Sequence, residues 1–446
     1  MSSHELISPD GMDDFSTTFC LIIFTNYLVN TIMKKYLLTS LTIFSIFFLS
    51  SCSQFESDMA QTEIQMVDNP HRVSAERAKE AALAFVDGYS LKTRSAETNI
   101  PETTIDVTAF RWNNKTTRAD GLQVNITDTL FYIVNLGQEN GFVLVSADDR
   151  RTPILAYIEE GSYYGEPNDN PGFNLILDNL IAQCLSEPKD SVIFPPTTRV
   201  AADVTQIMYP LLKTLWHQHS PFNKYCPNGY PTGCVPTAFA QICSYLEYPS
   251  SFTYNGITTT LNWSQINSYC ISHQGSVLGD SLLEDKIAYF LRYLGYIFDA
   301  HYESGGTKAD ADDAVQVMQN LGVDMPSLRS YNSEYIADDL SAGNRIEFMT
   351  GFANYYHVGF FFRHYTDGHA WVIDGFLRAH MTNDSDLYLH MNWGWQDPYN
   401  GYYWAGLLEP TSTPPYYDDG TARTWVNHLH RDAFLYELRH CCIVKH

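Results

Sequence analysis

Cys234 follows Gly233 directly in YPTGCVPTAFAQI, at the first turn of a segment that reads as a helix. The thiolate is the nucleophile, and an unperturbed thiol is mostly protonated at neutral pH. A helix N-terminus counters this, because its first N–H groups have no partner within the helix and the macrodipole favours an anion. Gly233 permits a tight approach turn, and Pro236 falls in the first turn, where a missing N–H costs nothing. The residues that follow continue the helix with small side chains on one side. A buried, inert cysteine fits the same segment, so the nucleophile reading depends on partners elsewhere in the chain.

Those partners have suitable types. His369, in DGHAWVIDGF, lies where a β-rich run begins, and a strand start is a rigid platform for a general base. His357, His364 and His390 are rivals, but none is preceded by a glycine, as His369 is by Gly368, to let a substrate backbone approach. In HMNWGWQDPYNGYY, the Asn392 amide can accept the second N–H of an imidazole and the Trp393 indole can shield that bond. Gln218, in WHQHSPFN upstream of Cys234, offers a side-chain donor to an oxyanion beside the backbone N–H of the nucleophile.

The elements that must carry these groups fall into two blocks. Residues 73–88 read as a helix with Ser74 as N-cap and Glu76 in the first turn. Residues 103–112 read as a strand, and two β-rich runs flanking Gly137 to Gly141 as a hairpin. PILAYIEEGSY adds a strand and 171–186 a helix, so 54–190 is expected to be a compact α+β unit. FPPTTRVAADV, residues 194–204, is expected to be an exposed linker across which few contacts pass. Beyond it come helices from Cys234, at 281–294 and at 310–321. Strand-like segments then run from 345 to GYYWAGL. Helices first and strands afterwards predict an α+β fold, a helical part packed on an antiparallel sheet.

The order Gln, Cys, His, Asn is that of papain-like proteases, and the quoted segments, with LNWSQI and YESGGTKAD between them, resemble the streptopain family of cysteine proteases. They occur in family order across most of residues 205–404, and GFVLVSADDRRTPILAYIEEGSY is similar to the family's prodomain. The resemblance implies a papain-like catalytic domain over 201–446 and a small α+β inhibitory prodomain over 52–200. It implies Cys234 as nucleophile, His369 as general base and acid, Gln218 in the oxyanion hole, and Asn392 and Trp393 orienting and covering the histidine. Gly305 and Gly306 would line the substrate cleft, alongside Gly233 and Gly368. The activity implied is that of a cysteine endopeptidase made as a zymogen, with protein or peptide substrates and its own prodomain as inhibitor. Gln396 departs from the family, which usually has glycine there, and the tail HLHRDAFLYELRHCCIVKH is unlike the usual family ending.

Bulk properties narrow the alternatives. The chain has 446 residues, 45% hydrophobic, and a formal net charge of −24. It is globular, and with no basic run it lacks the patch that nucleic acid requires. Nine cysteines at irregular spacing make no disulfide framework, and without a CxxC pair no metal or other cofactor is expected. Cys441-Cys442 is read as an accident of the tail. Asp310, Asp312 and Asp313 lack a calcium loop's glycine and distal glutamate and are read as an acidic first helical turn.

MKKYLLTSLTIFSIFFLSSC, residues 33–52, has a basic start, an apolar run and small residues before Cys52. It resembles a bacterial lipoprotein signal, with Cys52 lipidated as the mature N-terminus and 33–51 removed. Met33 is then the expected start, and 1–32 a start-site artefact. The expected place is the bacterial envelope, as an outer-membrane lipoprotein held in the membrane by its lipid, or the extracellular space. An inactive peptide-binding homologue and, from the abundant Tyr and Trp, a glycan-binding envelope lipoprotein are the alternatives.

Overall fold

The computed structural model describes residues 63–66, 69–93, 104–117, 123–166, 168–185, 191–195, 200–358, 362–381, 385–395, 399–409 and 436–446. Two compact units emerge. The smaller, Met1–Met66 with Asn114–Ile126, includes the short strand Glu63–Met66. The larger, Val67–Asn113 with Thr127–His446, holds the rest of the first sequence block and all of the second.

Helix α1 (Ala75–Thr93) starts where Ser74 Oγ accepts the Arg77 N–H. Strands β1 (Asp106–Thr117), β2 (Gln123–Asn135), β3 (Phe142–Ser146) and β4 (Ile154–Ile158) follow, with the expected turn at 137–141 joining β2 to β3. Helix α2 (Pro171–Leu185) ends the first block, and β5 (Asp203–Met208) opens the second. Next come α3 (Cys234–Leu246), α4 (Trp263–Ser272), α5 (Ser281–Ile297), the hairpin β6 (His301–Glu303) and β7 (Gly306–Lys308), α6 (Ala311–Asn320) and α7 (Ser333–Ser341). The chain then forms β8 (Arg345–Val358), β9 (Phe362–His380), β10 (Ser385–Asn392), β11 (Gly401–Trp404) and β12 (Tyr436–Val444). Helices α4 to α7 each begin at an Asn or Asp whose side chain accepts first-turn N–H groups: Asn262, Asp280, Asp310 and Asn332. Asp310 caps α6 by accepting the N–H groups of Asp312 and Asp313, and those two form the acidic first turn that the sequence suggests.

One antiparallel sheet runs through both blocks in the order β2-β3-β4-β11-β10-β9-β8-β12, with β5 on the outer half of β9. The junction is β4 on β11, where Gly401 pairs with Ile158. A Cβ at Gly401 would lie 2.6 Å from the Tyr157 carbonyl oxygen, so only glycine permits this approach. The cores are shared as well. One cluster joins Phe131, Phe142, Phe173 and Ile176 of the first block to Trp371, Trp393 and Tyr403 of the second. Another joins Phe85 and Val143 to Leu377, Tyr388 and Tyr402. Many contacts therefore cross between the blocks, contrary to the sequence expectation.

The tail also departs from expectation. Residues 436–444 form a strand on β8, with Glu347 opposite Cys442 and Ile346 opposite Ile443, and Cys441, Cys442 and Ile443 are buried. Cys441 and Ile443 join the cluster around Phe239 and Phe348. Far from being an accident of the tail, the vicinal cysteines are core residues of an interior strand.

Candidate active site

Helix α3 is the exception among the capped helices of its block. Its N-cap is Gly233, at φ 94°, with no side chain to occupy the first-turn N–H groups. Glycine is required there twice: the φ is left-handed, and a Cβ would meet Thr307 Cγ2 and O at 3.1 Å. The vacant N–H groups are left to the Cys234 thiol, which is approached by the backbone N–H groups of Ala370, Val235 and Cys234 itself. These donors lower the thiol's pKa, but burial raises it more, and the net direction is upward.

Ala370 adjoins His369 on β9, so the sheet brings His369 close to the Cys234 thiol. His369 is 4% exposed, and burial pushes its pKa down to about 4 against the opposing effect of the Trp393 carbonyl. Its Nε2 lies 3.0 Å from that carbonyl oxygen. A carbonyl can only accept, so Nε2 carries the proton and Nδ1 holds the basic lone pair. The ring lies near Trp371 and Trp393, at centroid distances of 6.1 and 6.4 Å. Burial thus favours the uncharged form of both thiol and imidazole.

Asn392 is turned away from the role its sequence position suggests. Its Oδ1 accepts from Gln241 Nε2 at 3.0 Å and from the Gly394 N–H at 3.2 Å, and its Nδ2 donates to the Thr214 carbonyl at 3.1 Å. The group on the His369 N–H is the backbone of Trp393. The indole of Trp393 is fully buried, donates to the Tyr399 carbonyl at 2.9 Å and packs against Trp371 and Tyr403. Gln218 is buried, with its carbonyl accepting the Thr232 N–H, and its side-chain amide makes no hydrogen bond to the described residues.

The glycines divide. Gly305 and Gly306 stand at the tip of the β6–β7 hairpin, where a Cβ would meet nothing within 4 Å. The hairpin is tied beside the nucleophile by Thr307, whose Oγ1 donates to the Pro231 carbonyl at 2.5 Å. Gly368 is paired across the strands with Phe352, whose ring would lie 2.8 Å from a Cβ there, so it accommodates that ring. Of the rival histidines, His390 is committed to Asp374, Nδ1 to Oδ1 at 2.7 Å, within the sheet. The side chains of His357 and His364 lie outside the described residues, as do Gln396 and Cys52. Among the described residues, Asp339, Glu347 and Cys442 bring three possible metal-ligating atoms within 4.8 Å of one another. Both Asp339 oxygens are already held by Arg329 and Arg345, at 2.5 and 2.6 Å, which makes the group an ion-pair network. Sequence reasoning missed Gln241, although it lies in the quoted motif, two helical turns after Cys234 and so on the same face of α3.

The first block reaches this site through α2. Gly172 abuts the Trp393 indole, and Phe173 stacks on Tyr399 at 4.2 Å with the rings 2° apart. Gln183 Nε2 donates to the Gly406 carbonyl at 2.6 Å. The loop that supplies the His369 acceptor is thus held from outside the catalytic block.

Residues 216–403 match the model of the peptidase C10 family, and residues 70–184 that of the Spi protease inhibitor. The chain is 26% identical over 323 residues to the thiol protease/hemagglutinin PrtT of Porphyromonas gingivalis, covering 64% of this chain and 35% of PrtT. It is 23% identical over 313 residues to streptopain of Streptococcus pyogenes, covering 63% of this chain and 75% of streptopain. The chain therefore spans 35% of the length of one relative and 75% of the other. Among solved structures, a prointerpain A fragment of Prevotella intermedia aligns with a TM-score of 0.46 at 19% identity, covering 75% of this chain and 98% of that one. Active interpain A of the same organism aligns at 0.33 and 22%, covering 48% and 90%. The C10 model lies on the block that carries Cys234 and His369, and the inhibitor model on the block packed against it, so residues 216–403 are similar to the cysteine peptidases of the C10 family and residues 70–184 to the Spi protease inhibitor.

Proposed function

We propose that the chain is the precursor of a cysteine endopeptidase acting on proteins and peptides, with Cys234 as nucleophile and His369 as base and acid. The observation that carries this is the thiol at an uncapped helix N-terminus beside the Ala370 N–H, one residue from an imidazole whose Nε2–H is committed to the Trp393 carbonyl. The free Nδ1 takes the thiol proton. The sulfur attacks the scissile carbonyl, and the Cys234 N–H and the Gln218 amide receive the oxyanion. The imidazolium then protonates the leaving amine, and water, deprotonated by the same ring, hydrolyses the thioester. The glycines at 305 and 306 leave room for a substrate backbone beside Gly233.

Residues 52–200 act as the inhibitory prodomain. The contacts of α2 with Trp393 and Tyr399, beside the acceptor of His369, support a latent precursor. Cleavage near residues 190–204 releases the block, and Arg199 offers a basic site to an activator. Export by the 33–51 signal and lipidation of Cys52 place the enzyme at the envelope. No helix among the described residues is long and apolar enough to cross a membrane.

The test is Cys234→Ala. It should abolish thiol-dependent peptidase activity and self-processing while leaving the melting temperature within a few degrees. Wild-type turnover in that variant would place the chemistry elsewhere.

A further inference from the structure

The hydrogen bonds around Asn392 form a chain that begins on the nucleophile's own helix. Gln241 is fully buried. Its Oε1 accepts the Trp216 N–H at 3.1 Å and the Thr214 hydroxyl at 3.2 Å. A backbone N–H can only donate, so the oxygen of Gln241 must face Trp216 and its NH₂ must face Asn392. Asn392 is then forced in turn: its oxygen faces Gln241 and the Gly394 N–H, and its NH₂ faces the Thr214 carbonyl. The Gly394 N–H and the Trp393 carbonyl belong to one planar trans peptide, so fixing the first fixes the direction of the second. That carbonyl accepts the His369 Nε2–H. Gly394 also lies against α3, where a Cβ would be 3.2 Å from Thr237 Cγ2.

We infer that Gln241 is a positioning residue of the catalytic centre, setting through Asn392 the peptide whose carbonyl orients His369. This rests on the function proposed above. Gln241 touches neither substrate nor the reacting atoms. It links three parts of the site that are distant in sequence: α3 with the nucleophile, the 214–216 segment leading to Gln218, and the 392–394 turn. Its two ends allow one orientation only, so the rotor cannot slip without leaving a buried polar atom unpaired.

Gln241→Met keeps the length of the side chain and removes its three hydrogen bonds. In the matured enzyme, kcat/KM at neutral pH should fall roughly tenfold to a hundredfold. Once Nδ1 of the mature enzyme has taken the thiol proton, thiolate and imidazolium form a pair, and the discriminating readout is the alkaline limb of the pH profile, where that imidazolium loses its proton. The Trp393 carbonyl stabilises the charged ring, so losing its alignment should move that limb down by about one pH unit. Asn392→Ala should give the same displacement, and adding Gln241→Met to it should move the limb no further. If Gln241→Met does not fold, Asn392→Ala alone decides, because an unmoved limb there overturns the inference. An unmoved limb in a folded Gln241→Met enzyme, or additive effects in the double variant, also overturns it. Absence of thiol-dependent activity in the wild type would instead count against the proposed function.

Discussion

Gly172→Ala adds one methyl group to the precursor at the point where α2 meets the active-site loop. That Cβ would lie 2.2 Å from Cε3 of Trp393, 2.7 Å from Cδ2 and 3.0 Å from Cζ3. The indole cannot swing aside, because it is fully buried, bonded to the Tyr399 carbonyl and walled by Trp371 and Tyr403. The relief must come from α2 moving outward. Helix propensity argues the other way, since alanine is better than glycine in a helix by roughly 0.5–1 kcal/mol. Overpacking of this kind costs about 1–3 kcal/mol. The net expectation is a loss of about 1–2 kcal/mol from the hold of the prodomain, or roughly five- to thirtyfold in its bound population. The precursor should melt lower than wild type, and thiol-dependent activity should appear faster during incubation. The isolated Gly172→Ala prodomain, added in trans, should inhibit mature enzyme more weakly by the same factor. A precursor that melts higher and matures at the wild-type rate would mean that α2 does not press on Trp393.

Three further outcomes follow from particular residues. Burial lowers the pKa of His369 from 6.5 to about 4, so its unfolded form binds a proton at a higher pH than its folded form does. The precursor should therefore lose up to roughly 3 kcal/mol as pH falls from about 6.5 to about 4. His217, lowered to about 4 by burial and by His219, adds in the same direction. Melting temperature against pH reads this, and His369→Gln should flatten the curve by about one proton; an unchanged slope would refute it. Ile443→Ala, in the buried C-terminal strand, should cost about 2–4 kcal/mol, read by denaturant unfolding of the precursor, whereas a tail outside the core would make it neutral. Cys52→Ser should abolish incorporation of radioactive fatty acid, and continued labelling would place any lipid elsewhere.

Local chemistry made much of this molecule legible in its sequence. Ser74 and Asp310 announce helix starts because a cap is a short-range bond, and Gly137 to Gly141 announce a turn for a similar reason. The helix start at Cys234 and the strand that carries His369 were likewise legible from glycine and the apolar pattern beside them. The pairing of β4 with β11 was not, because strand partners far apart in sequence share no local signal, and Pro195-Pro196 gave the opposite impression of a loose joint. The C-terminal strand was obscured by its histidine and two adjacent cysteines. Its neighbours make it a strand, with β8 on one side and Arg329–Ser330 on the other. Asn392 was read as the partner of the histidine from its residue type and from the family resemblance. Its actual orientation depends on Gln241 and Thr214, which only the folded chain brings to it.

The strand pairing between β4 and β11 separates two events that a gel cannot tell apart. Cutting the chain near residues 190–204 removes a covalent tether, but the backbone bonds from Gly401 to Ile158, the Phe173–Tyr399 stack and the shared clusters remain intact in the nicked molecule. The cut product is a two-chain complex, and its release is a dissociation with its own rate and dependence on concentration. Bands of mature size should accumulate ahead of activity, and dilution should shorten the lag. Once the prodomain leaves, β11 becomes a bare sheet edge carrying unpaired N–H and C=O groups at Gly401, the one residue there with no side chain to guard it. That freed edge offers another strand a place to pair, so self-association is expected to rise with activation.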